Sequence, residues 1–299
     1  MQNCLMMVAL KEGKCSMGVY AGLDIGGTKL LVASADETGR ILKRTRAETP
    51  PARDEGLRLI NAMIDEAGEG RPLDGIGVAI GGPLDFAAGV VSPLHQPEWK
   101  NVPLREILHK RWQCPVSIDV DTNVAALGEY RAMGETAARF LYLTISTGMG
   151  GGFIVDGKVY RGSRGGHPEP AHISIHFRCS NPENISCECG APDCLESLVS
   201  GNGIRRIYGR PAEELTEEQW DEVAYNLGQG LRNLSTLYCP DIISLGGGIS
   251  TGRGERLLQP AVSIMKEHLR LVNPPQVRIS RLGYDTALVG AISIAIHGV

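Results

Sequence analysis

The segment Asp24-Ile25-Gly26-Gly27-Thr28-Lys29 joins two apolar stretches through a glycine turn, and it decides the fold. The apolar run from Val19 to Ile25 predicts a strand that enters the turn, and a second strand leaves the turn and continues through Ala33. A further turn at residues 36–39 leads to a third strand at Ile41-Leu42. These three strands predict a meander at the start of the fold.

A helix and a fourth strand follow this meander. Apolar residues recur at the spacing of one helix face, at Leu57, Ile60, Ile64 and Ala67. The next apolar run, at 76–80, predicts a strand that ends in Gly81-Gly82-Pro83. The first half of the chain therefore has the order strand-strand-strand-helix-strand.

The second half repeats this order, with glycines at the same two places. Its predicted elements are a strand at 140–145, a glycine-rich turn at 147–152, a return strand at 153–155, a hairpin turn at Asp156-Gly157, a strand at Val159-Tyr160, a helix from Thr216 whose apolar stripe runs from Trp220 to Leu237, and a strand at 242–245 that ends in Gly246-Gly247-Gly248. The repetition predicts a duplicated α/β fold whose two lobes face each other across a central cleft. The glycine turns of both lobes would lie at the mouth of that cleft.

Composition and charge exclude several classes of protein. The chain has 299 residues and a formal net charge of -4, and it contains no basic run, which argues against nucleic-acid binding. No stretch approaches the roughly 20 apolar residues that span a bilayer, and the apolar run near the start lacks the basic lead-in of a signal peptide. We therefore expect a cytoplasmic protein without a membrane partner, in which residues 1–17 form a disordered N-terminal extension.

The glycine turns suit the binding of phosphate groups. Because glycine lacks a Cβ, the backbone N–H groups of Gly26 and Gly27 can approach phosphate oxygens closely. Thr28 adds a hydroxyl donor, and Asp24 is a candidate ligand of Mg²⁺. Neither this turn nor the one at 147–152 matches the P-loop or the dinucleotide-binding fingerprint, and a glycine hairpin taken alone is more often only a turn.

A cluster of cysteines predicts a metal site. Eight cysteines without an export signal favour reduced thiols, and Cys187, Cys189 and Cys194 provide three soft ligands on one short loop. Three thiolates and one imidazole close a tetrahedral site, which is typical of structural zinc. The candidates for the fourth ligand are His167, His172 and His176.

Taken together, the motifs resemble the ROK family, the sugar kinases and sugar-responsive repressors of the actin-like ATPase superfamily. The resemblance covers about residues 18–299, and it is carried by Asp24–Lys29, Gly82-Pro83-Leu84-Asp85, Asp121-Thr122-Asn123, Thr147–Gly152, Glu169-Pro170-Ala171-His172, and Cys187-Glu188-Cys189-Gly190 with Cys194-Leu195-Glu196. It implies the duplicated actin-like (ribonuclease H-like) fold, with a small lobe of residues 18–122 and 286–299. The large lobe would comprise residues 123–285 with the zinc-binding insertion. Related proteins are usually homodimers, so a homodimer is expected.

The resemblance also implies transfer of the ATP γ-phosphate to a hydroxyl of glucose or a related hexose, at O6, with Mg²⁺ and structural Zn²⁺. Asp121 lies between a strand predicted at 116–120 and a helix predicted from Val124 to Gly134; it is implied as the catalytic base, and helix capping is its alternative role. The implied phosphate-binding residues are Asp24, Gly26, Gly27, Thr28, Lys29, Thr147, Gly148, Gly150, Gly247 and Gly248. The implied sugar-binding residues are Gly82, Asp121, Glu169, His172 and Glu196, and the implied zinc ligands are His172, Cys187, Cys189 and Cys194.

Departures from the family pattern leave the sugar open. Val120 stands where glucose-type members carry asparagine, and Ala171 stands where they carry glycine. The segment 167–169 resembles the fructokinase branch, whereas 187–189 resembles the glucokinase branch. Fructokinase- or mannokinase-type specificity is therefore one alternative, and a non-catalytic sugar-binding protein is another. A repressor is disfavoured, since residues 1–17 are too few to build a helix-turn-helix domain.

Overall fold

Two five-stranded sheets organise the described part of the chain, residues 18–134 and 136–299, in a computed structural model. The predicted extension, residues 1–17, lies outside these residues. The elements of the first half are β1 (Tyr20–Ile25), β2 (Lys29–Ala35), β3 (Ile41–Glu48), α1 (Arg53–Gly68), β4 (Gly75–Ile80), β5 (Leu84–Asp85), β6 (Val90–Val91), α2 (Leu104–Trp112), β7 (Val116–Val120) and α3 (Asp121–Ala132).

The second half has the same kinds of element. They are β8 (Arg139–Ile145), β9 (Met149–Val155), β10 (Lys158–Val159), α4 (Leu195–Val199), α5 (Gly201–Tyr208), α6 (Glu217–Tyr238), β11 (Ile242–Gly246), α7 (Gly248–Arg253), α8 (Glu255–Glu267), β12 (Gln276–Ile279) and α9 (Thr286–His297).

The two sheets have one topology, which confirms the predicted duplication. Their strand orders are β3-β2-β1-β4-β7 and β10-β9-β8-β11-β12. In each sheet the first three strands pair antiparallel, and the last two strands add in parallel beside the first. Because the carboxyl ends of parallel strands meet at one edge, each half brings its glycine segments to the same end of its sheet.

Two predicted boundaries in the sheets differ clearly from the structure. The third strand continues to Glu48 rather than ending at Leu42, with half-buried and exposed residues alternating along this edge strand. The predicted glycine turn at 147–152 is shorter, since β9 begins at Met149 and contains Gly150, Gly151 and Gly152. Strand β12 was not predicted, because four residues with polar and apolar side chains in alternation give too short a signal.

Two helices cross between the sheets. Helix α3 follows the first sheet and packs on β8 and β9 of the second, whereas α9 follows the second sheet and packs on β1 and β4 of the first. One buried cluster contains residues of both helices and both sheets, among them Ala79, Val124, Phe140 and Ala291. The helices touch where Gly128 faces Gly290; a Cβ on Gly290 would lie 2.1 Å from the Val124 carbonyl oxygen. Only glycine permits this approach.

Helix α6 follows the prediction at its start and departs from it at its end. Thr216 caps the helix, and its hydroxyl and the Gln219 side chain form the predicted capping box. Leu231 and Leu234 are buried, but Leu237 is 68% exposed because it lies in the last turn, beyond the packed face. No helix within the described ranges combines the length and the apolar character needed to cross a bilayer.

Candidate active site

Asp121 is the first residue of α3, directly after the carboxyl end of β7. The helix begins three residues earlier than predicted, and its N-cap is Val120, so the alternative role of Asp121 as the N-cap is wrong. The Asp121 Oδ1 atom accepts a hydrogen bond from Thr122 N at 2.7 Å. Burial raises the pKa of the Asp121 carboxyl, an effect that this hydrogen bond and His167 oppose and that the charge of Glu169 increases.

A second carboxylate, Asp24, lies near the end of β1, and its charge interacts with that of Asp121. Burial and, to a smaller extent, the negative charge of Asp121 together raise the pKa of Asp24 to about 7. The two carboxylates repel each other and have little contact with water. A divalent cation would suit this position, because its charge would offset both the repulsion and the cost of burying the carboxylates.

The first glycine turn connects β1 to β2. Gly26 N donates to Lys29 O at 2.9 Å, and the Thr49 hydroxyl donates to Gly26 O at 2.7 Å, so the turn has a fixed shape. Thr28 and Lys29 line an open groove of about 620 Å³ that also includes Thr49. A Cβ on Gly27 would lie 3.2 Å from the Cβ of His95, and His95 interacts electrostatically with Asp121.

The second glycine turn is the short connection of Ser146, Thr147 and Gly148 between β8 and β9. Ser146 N donates to Gly148 O at 2.8 Å, and Ser146 O accepts from Gly201 N at 2.7 Å at the start of α5. Gly148 has space around it, since its nearest neighbour would be Glu196 Oε2 at 3.7 Å from an added Cβ. Gly150 lies instead inside β9, where a Cβ would be 2.7 Å from Thr122 Cγ2.

The third glycine set lies between β11 and α7. Gly247 has a φ of 85°, and a Cβ there would lie 2.4 Å from Ile145 O, so this residue packs on the end of β8. Gly248 faces the Tyr284 hydroxyl, which would lie 2.9 Å from an added Cβ. The third set therefore lies next to the strand that enters the second glycine turn.

Gly82 and the segment from His167 to Glu169 lie beside Asp121. A Cβ on Gly82 would be 3.5 Å from Val120 Cγ1 and 4.0 Å from His167 Cε1. The His167 Nε2 atom is 3.1 Å from Glu169 Oε1, and this hydrogen bond raises the pKa of His167. His167 thus pairs with Glu169 and is not part of the cysteine cluster.

The cysteine cluster has the geometry of a metal site. His172, Cys187, Cys189 and Cys194 offer ligand atoms that all lie within 4.8 Å of one another. Cys187 Sγ is 3.7 Å from His172 Nδ1; a tetrahedral zinc ion with bonds of about 2.0–2.3 Å needs its ligand atoms about 3.5–3.8 Å apart. His176, the remaining candidate, contacts the ring of Tyr225 edge to face. The donor set therefore fits zinc, and His172 is the candidate histidine that lies in the group.

Glu196 connects the cysteine cluster to the second glycine turn. It lies in the first turn of α4, two residues after Cys194. Its Oε2 atom accepts from Met149 N at 3.1 Å and is 3.9 Å from His172 Nε2. His172 thus faces the cluster with Nδ1 and Glu196 with Nε2. A metal ion bound at Nδ1 would fix the orientation of the ring.

The ion pair between Asp119 and Arg161 was not predicted from the sequence. Asp119 lies in β7 with a side chain only 1% exposed, and the Arg161 guanidinium contacts both of its carboxylate oxygens. A signal for it was present: Asp119 lies between Ile118 and Val120 in a predicted strand, and a carboxylate that is buried in a strand requires a cation or several hydrogen-bond donors. The pattern does not indicate which cation.

Comparisons with known proteins agree with this arrangement. A glucokinase of Halalkalibacterium halodurans is 30% identical, with 91% of this chain and 93% of that protein aligned. An N-acetylmannosamine kinase of Vibrio cholerae is also 30% identical, over 90% of this chain and 96% of its own length. The crystal structure of a ROK family glucokinase from Streptomyces griseus in complex with glucose and AMPPNP has a TM-score of 0.78, is 29% identical, and aligns with 94% of this chain and 100% of that one.

The structural similarity extends over both sheets and confirms the predicted duplicated actin-like fold. The ROK family model matches residues 20–297, which is nearly the whole described chain. The chain belongs to the ROK family.

Proposed function

We propose that this ATP-dependent sugar kinase transfers the γ-phosphate of ATP to O6 of glucose or a closely related hexose, with Asp121 as the catalytic base. The observation that carries the proposal is the position of Asp121 at the junction of β7 and α3, beside His167 and Glu169 and within electrostatic range of Asp24. A base for this reaction must accept the proton of a sugar hydroxyl that attacks the phosphate.

The raised pKa of Asp121 supports this role. A carboxylate with a raised pKa holds a proton more strongly than an ordinary aspartate, so proton transfer from a hydroxyl becomes less unfavourable. His167 and His95 oppose the effect of burial and help to keep the carboxylate ionised. General base catalysis contributes roughly 10²–10⁴-fold to the rate, and the positioning of the two substrates supplies more.

Asp24 and the glycine turns form the proposed phosphate site. Asp24 would hold Mg²⁺, which supplies charge neutralisation of the phosphates when it is bound. The backbone N–H groups of Gly27 and Gly148 would bind phosphate oxygens, and Thr28, Lys29 and Thr147 lie beside them. The N–H of Gly26 already donates to Lys29 O, so Gly26 would contribute the shape of the turn. Gly247 and Gly248 would pass close to the adenosine. For Gly150 the packing against Thr122 already accounts for the glycine.

Gly82, Glu169, His172 and Glu196 form the proposed sugar site, together with Asp121. The carboxylates and the imidazole would select among sugar hydroxyls, because a polar group that becomes buried under the sugar without a partner is costly. We assign structural zinc to the cysteine cluster, where it would hold His172 and the loop that carries it. The contact of α9 with β1 and β4 supports a small lobe of residues 18–122 and 286–299 and a large lobe of 123–285.

The choice of sugar is supported by the relatives and is tested directly. One aligned relative is a glucokinase and another is an N-acetylmannosamine kinase at the same identity, so the two activities are the candidates to separate. A coupled assay of ADP release with glucose, mannose, fructose and N-acetylmannosamine should give the highest kcat/KM with glucose. A higher value with the N-acetylated sugar would refute glucose as the substrate.

The role of Asp121 is tested by Asp121→Asn, with Asp65→Asn as the matched control. Asp65 lies on α1 with half of its side chain exposed and loses the same charge. We expect Asp121→Asn to fold and to bind the hexose, but to lose about 10²–10⁴-fold in kcat. The control should have the turnover of the natural protein. Turnover near normal in Asp121→Asn would end the assignment of the base.

A further inference from the structure

Arg161 connects two edge strands that belong to different sheets. It follows β10 at the edge of the second sheet, and its guanidinium contacts Asp119 in β7 at the edge of the first. Nη1 is 3.3 Å from Oδ1, and Nη2 contacts Oδ2. The side chains are 19% and 1% exposed. A two-point contact of this kind fixes the relative orientation of both groups.

Asp119 also forms hydrogen bonds with residues on both sides of Asp121 in the chain. Its Oδ1 atom also accepts from Val120 N at 2.7 Å and from Asn123 Nδ2 at 3.2 Å. Val120 precedes Asp121 and Asn123 follows it in the first turn of α3. The orientation of the Asp119 carboxylate therefore determines how the strand passes into the helix at Asp121.

Arg161 also contacts the segment that follows Gly82. Its guanidinium carbon lies 3.5 Å from the centre of the Phe86 ring, within the range of a cation–π contact. The Phe86 main chain is held in turn by Arg105, whose Nη2 donates to Phe86 O at 2.8 Å. Along the chain, Arg161 opens the loop that leads to His167 and Glu169. The Arg161 guanidinium thus contacts β7 and the segment after Gly82, and Arg161 itself begins the loop that leads to His167 and Glu169.

We propose that Arg161 is a positioning residue for phosphoryl transfer, which holds Asp121, the Gly82 segment and the 162–169 loop in one arrangement. The inference rests on the proposed role of Asp121 and extends it to a residue from the other half of the chain. Arginine is required because lysine is a point charge that can neither form the planar two-point contact nor stack on a ring. A displacement of about 1 Å in such a site costs about 10²-fold in rate.

The test compares Arg161→Met, Arg161→Lys and the double variant Asp119→Asn/Arg161→Met. The double variant removes both charges, so it folds even where a single unpaired Asp119 prevents folding of Arg161→Met. Asp36→Asn is the matched control, because Asp36 is a carboxylate 5% exposed and paired with Arg40, in the turn after β2 and away from Asp24. Each variant is measured for Tm, for kcat, for the KM of ATP and of the best hexose, and for hexose binding by calorimetry without ATP.

We expect the double variant and Arg161→Met to lose about 10²-fold in kcat/KM for the hexose, with weaker hexose binding and an unchanged KM for ATP. Arg161→Lys should recover only part of this loss. The control should lose thermal stability while it keeps normal kinetics. A double variant with normal hexose kinetics and a lowered Tm would overturn the proposal, and so would full recovery in Arg161→Lys.

The experiments distinguish failure of the proposed base from failure of the proposed role of Arg161. If Asp121→Asn keeps normal turnover, Asp121 is not the base, yet hexose binding in the Arg161 variants still reports whether Arg161 orders the sugar segments. If Asp121→Asn is inactive and the Arg161 variants bind and turn over the hexose normally, only the positioning role of Arg161 is refuted.

Discussion

Replacement of Asp24 by asparagine should stabilise the protein while it impairs the kinase. The pKa of Asp24 is about 7 in the folded chain, compared with an ordinary value of 3.8. At 1.36 kcal/mol for each unit of pKa, this difference corresponds to about 4 kcal/mol of folding free energy that the ionised carboxylate costs at pH 8. Asparagine has nearly the same shape and carries no charge, so Asp24→Asn removes the repulsion from Asp121 and much of the cost of burial.

The effect depends on pH in a defined direction. Because folding raises the pKa of Asp24, the folded chain favours the protonated carboxyl. The stability that this contributes is fully present below pH 3.8 and is lost as the pH rises to about 7. The stability gained by Asp24→Asn is therefore complete above pH 7. At pH 5.5 the folded protein has a neutral Asp24 and the unfolded chain has an ionised one, so the gain falls to about half, or about 2 kcal/mol.

The assay is thermal unfolding of the natural protein, Asp24→Asn and the control Asp65→Asn, without nucleotide or divalent cation. At about 2 °C for each kcal/mol, Asp24→Asn should raise Tm by about 8 °C at pH 8 and by about 4 °C at pH 5.5. Added Mg²⁺ should stabilise the natural protein more than the variant, because only the carboxylate binds the cation well. An equal gain at both pH values, or a lower Tm at pH 8, would refute the reasoning from burial and repulsion.

Two further predictions concern the cysteine cluster and the crossing of the helices. Cys189→Ser should lose zinc, measured by elemental analysis, and should raise the KM of the hexose, since His172 faces both the cluster and Glu196. The control Cys239→Ser, also at an exposed cysteine, should keep its zinc. Zinc loss with unchanged hexose affinity would contradict the coupling of the two sites. Gly290→Ala should cost about 1–3 kcal/mol in urea unfolding, because its Cβ would overlap the Val124 carbonyl, while Gly252→Ala, where nothing lies within 4 Å of the new Cβ, should be neutral or slightly stabilising. Equal stability of the two glycine variants would be incompatible with the close crossing of α3 and α9.

The repeated element order was predictable from the sequence, because each half places apolar runs and glycines at the same points. The boundaries of β1, β4 and β11 followed closely from their largely apolar runs, and β4 and β11 are buried along their whole length. Strand β12 was missed because it depends on its parallel pairing with β11, which no local pattern records. The crossing of α3 and α9 was missed for the same reason, since it brings together residues far apart in the chain.

The candidate site was predictable where its chemistry is local. The three cysteines lie within eight residues, so their spacing alone indicated a metal, and only the fourth ligand needed further information. The ion pair of Asp119 with Arg161 joins residues 42 positions apart, and no spacing rule covers such a distance. Its members are ordinary charged residues whose importance depends on burial and on their neighbours.

The glycine positions were the strongest signal in the sequence, and glycine occupies them for two different physical reasons. A Cβ at Gly77, Gly247 or Gly290 would lie 1.9, 2.4 or 2.1 Å from a backbone oxygen, so packing alone requires glycine at these positions. At Gly148 the nearest atom would be 3.7 Å away, and the φ of this residue lies outside the left-handed region, so neither packing nor backbone strain requires glycine. A glycine in the β8–β9 turn without a structural reason is a position at which a bound group has room to approach the backbone, and this supports Gly148, rather than Gly150, as part of the proposed phosphate site of the second lobe.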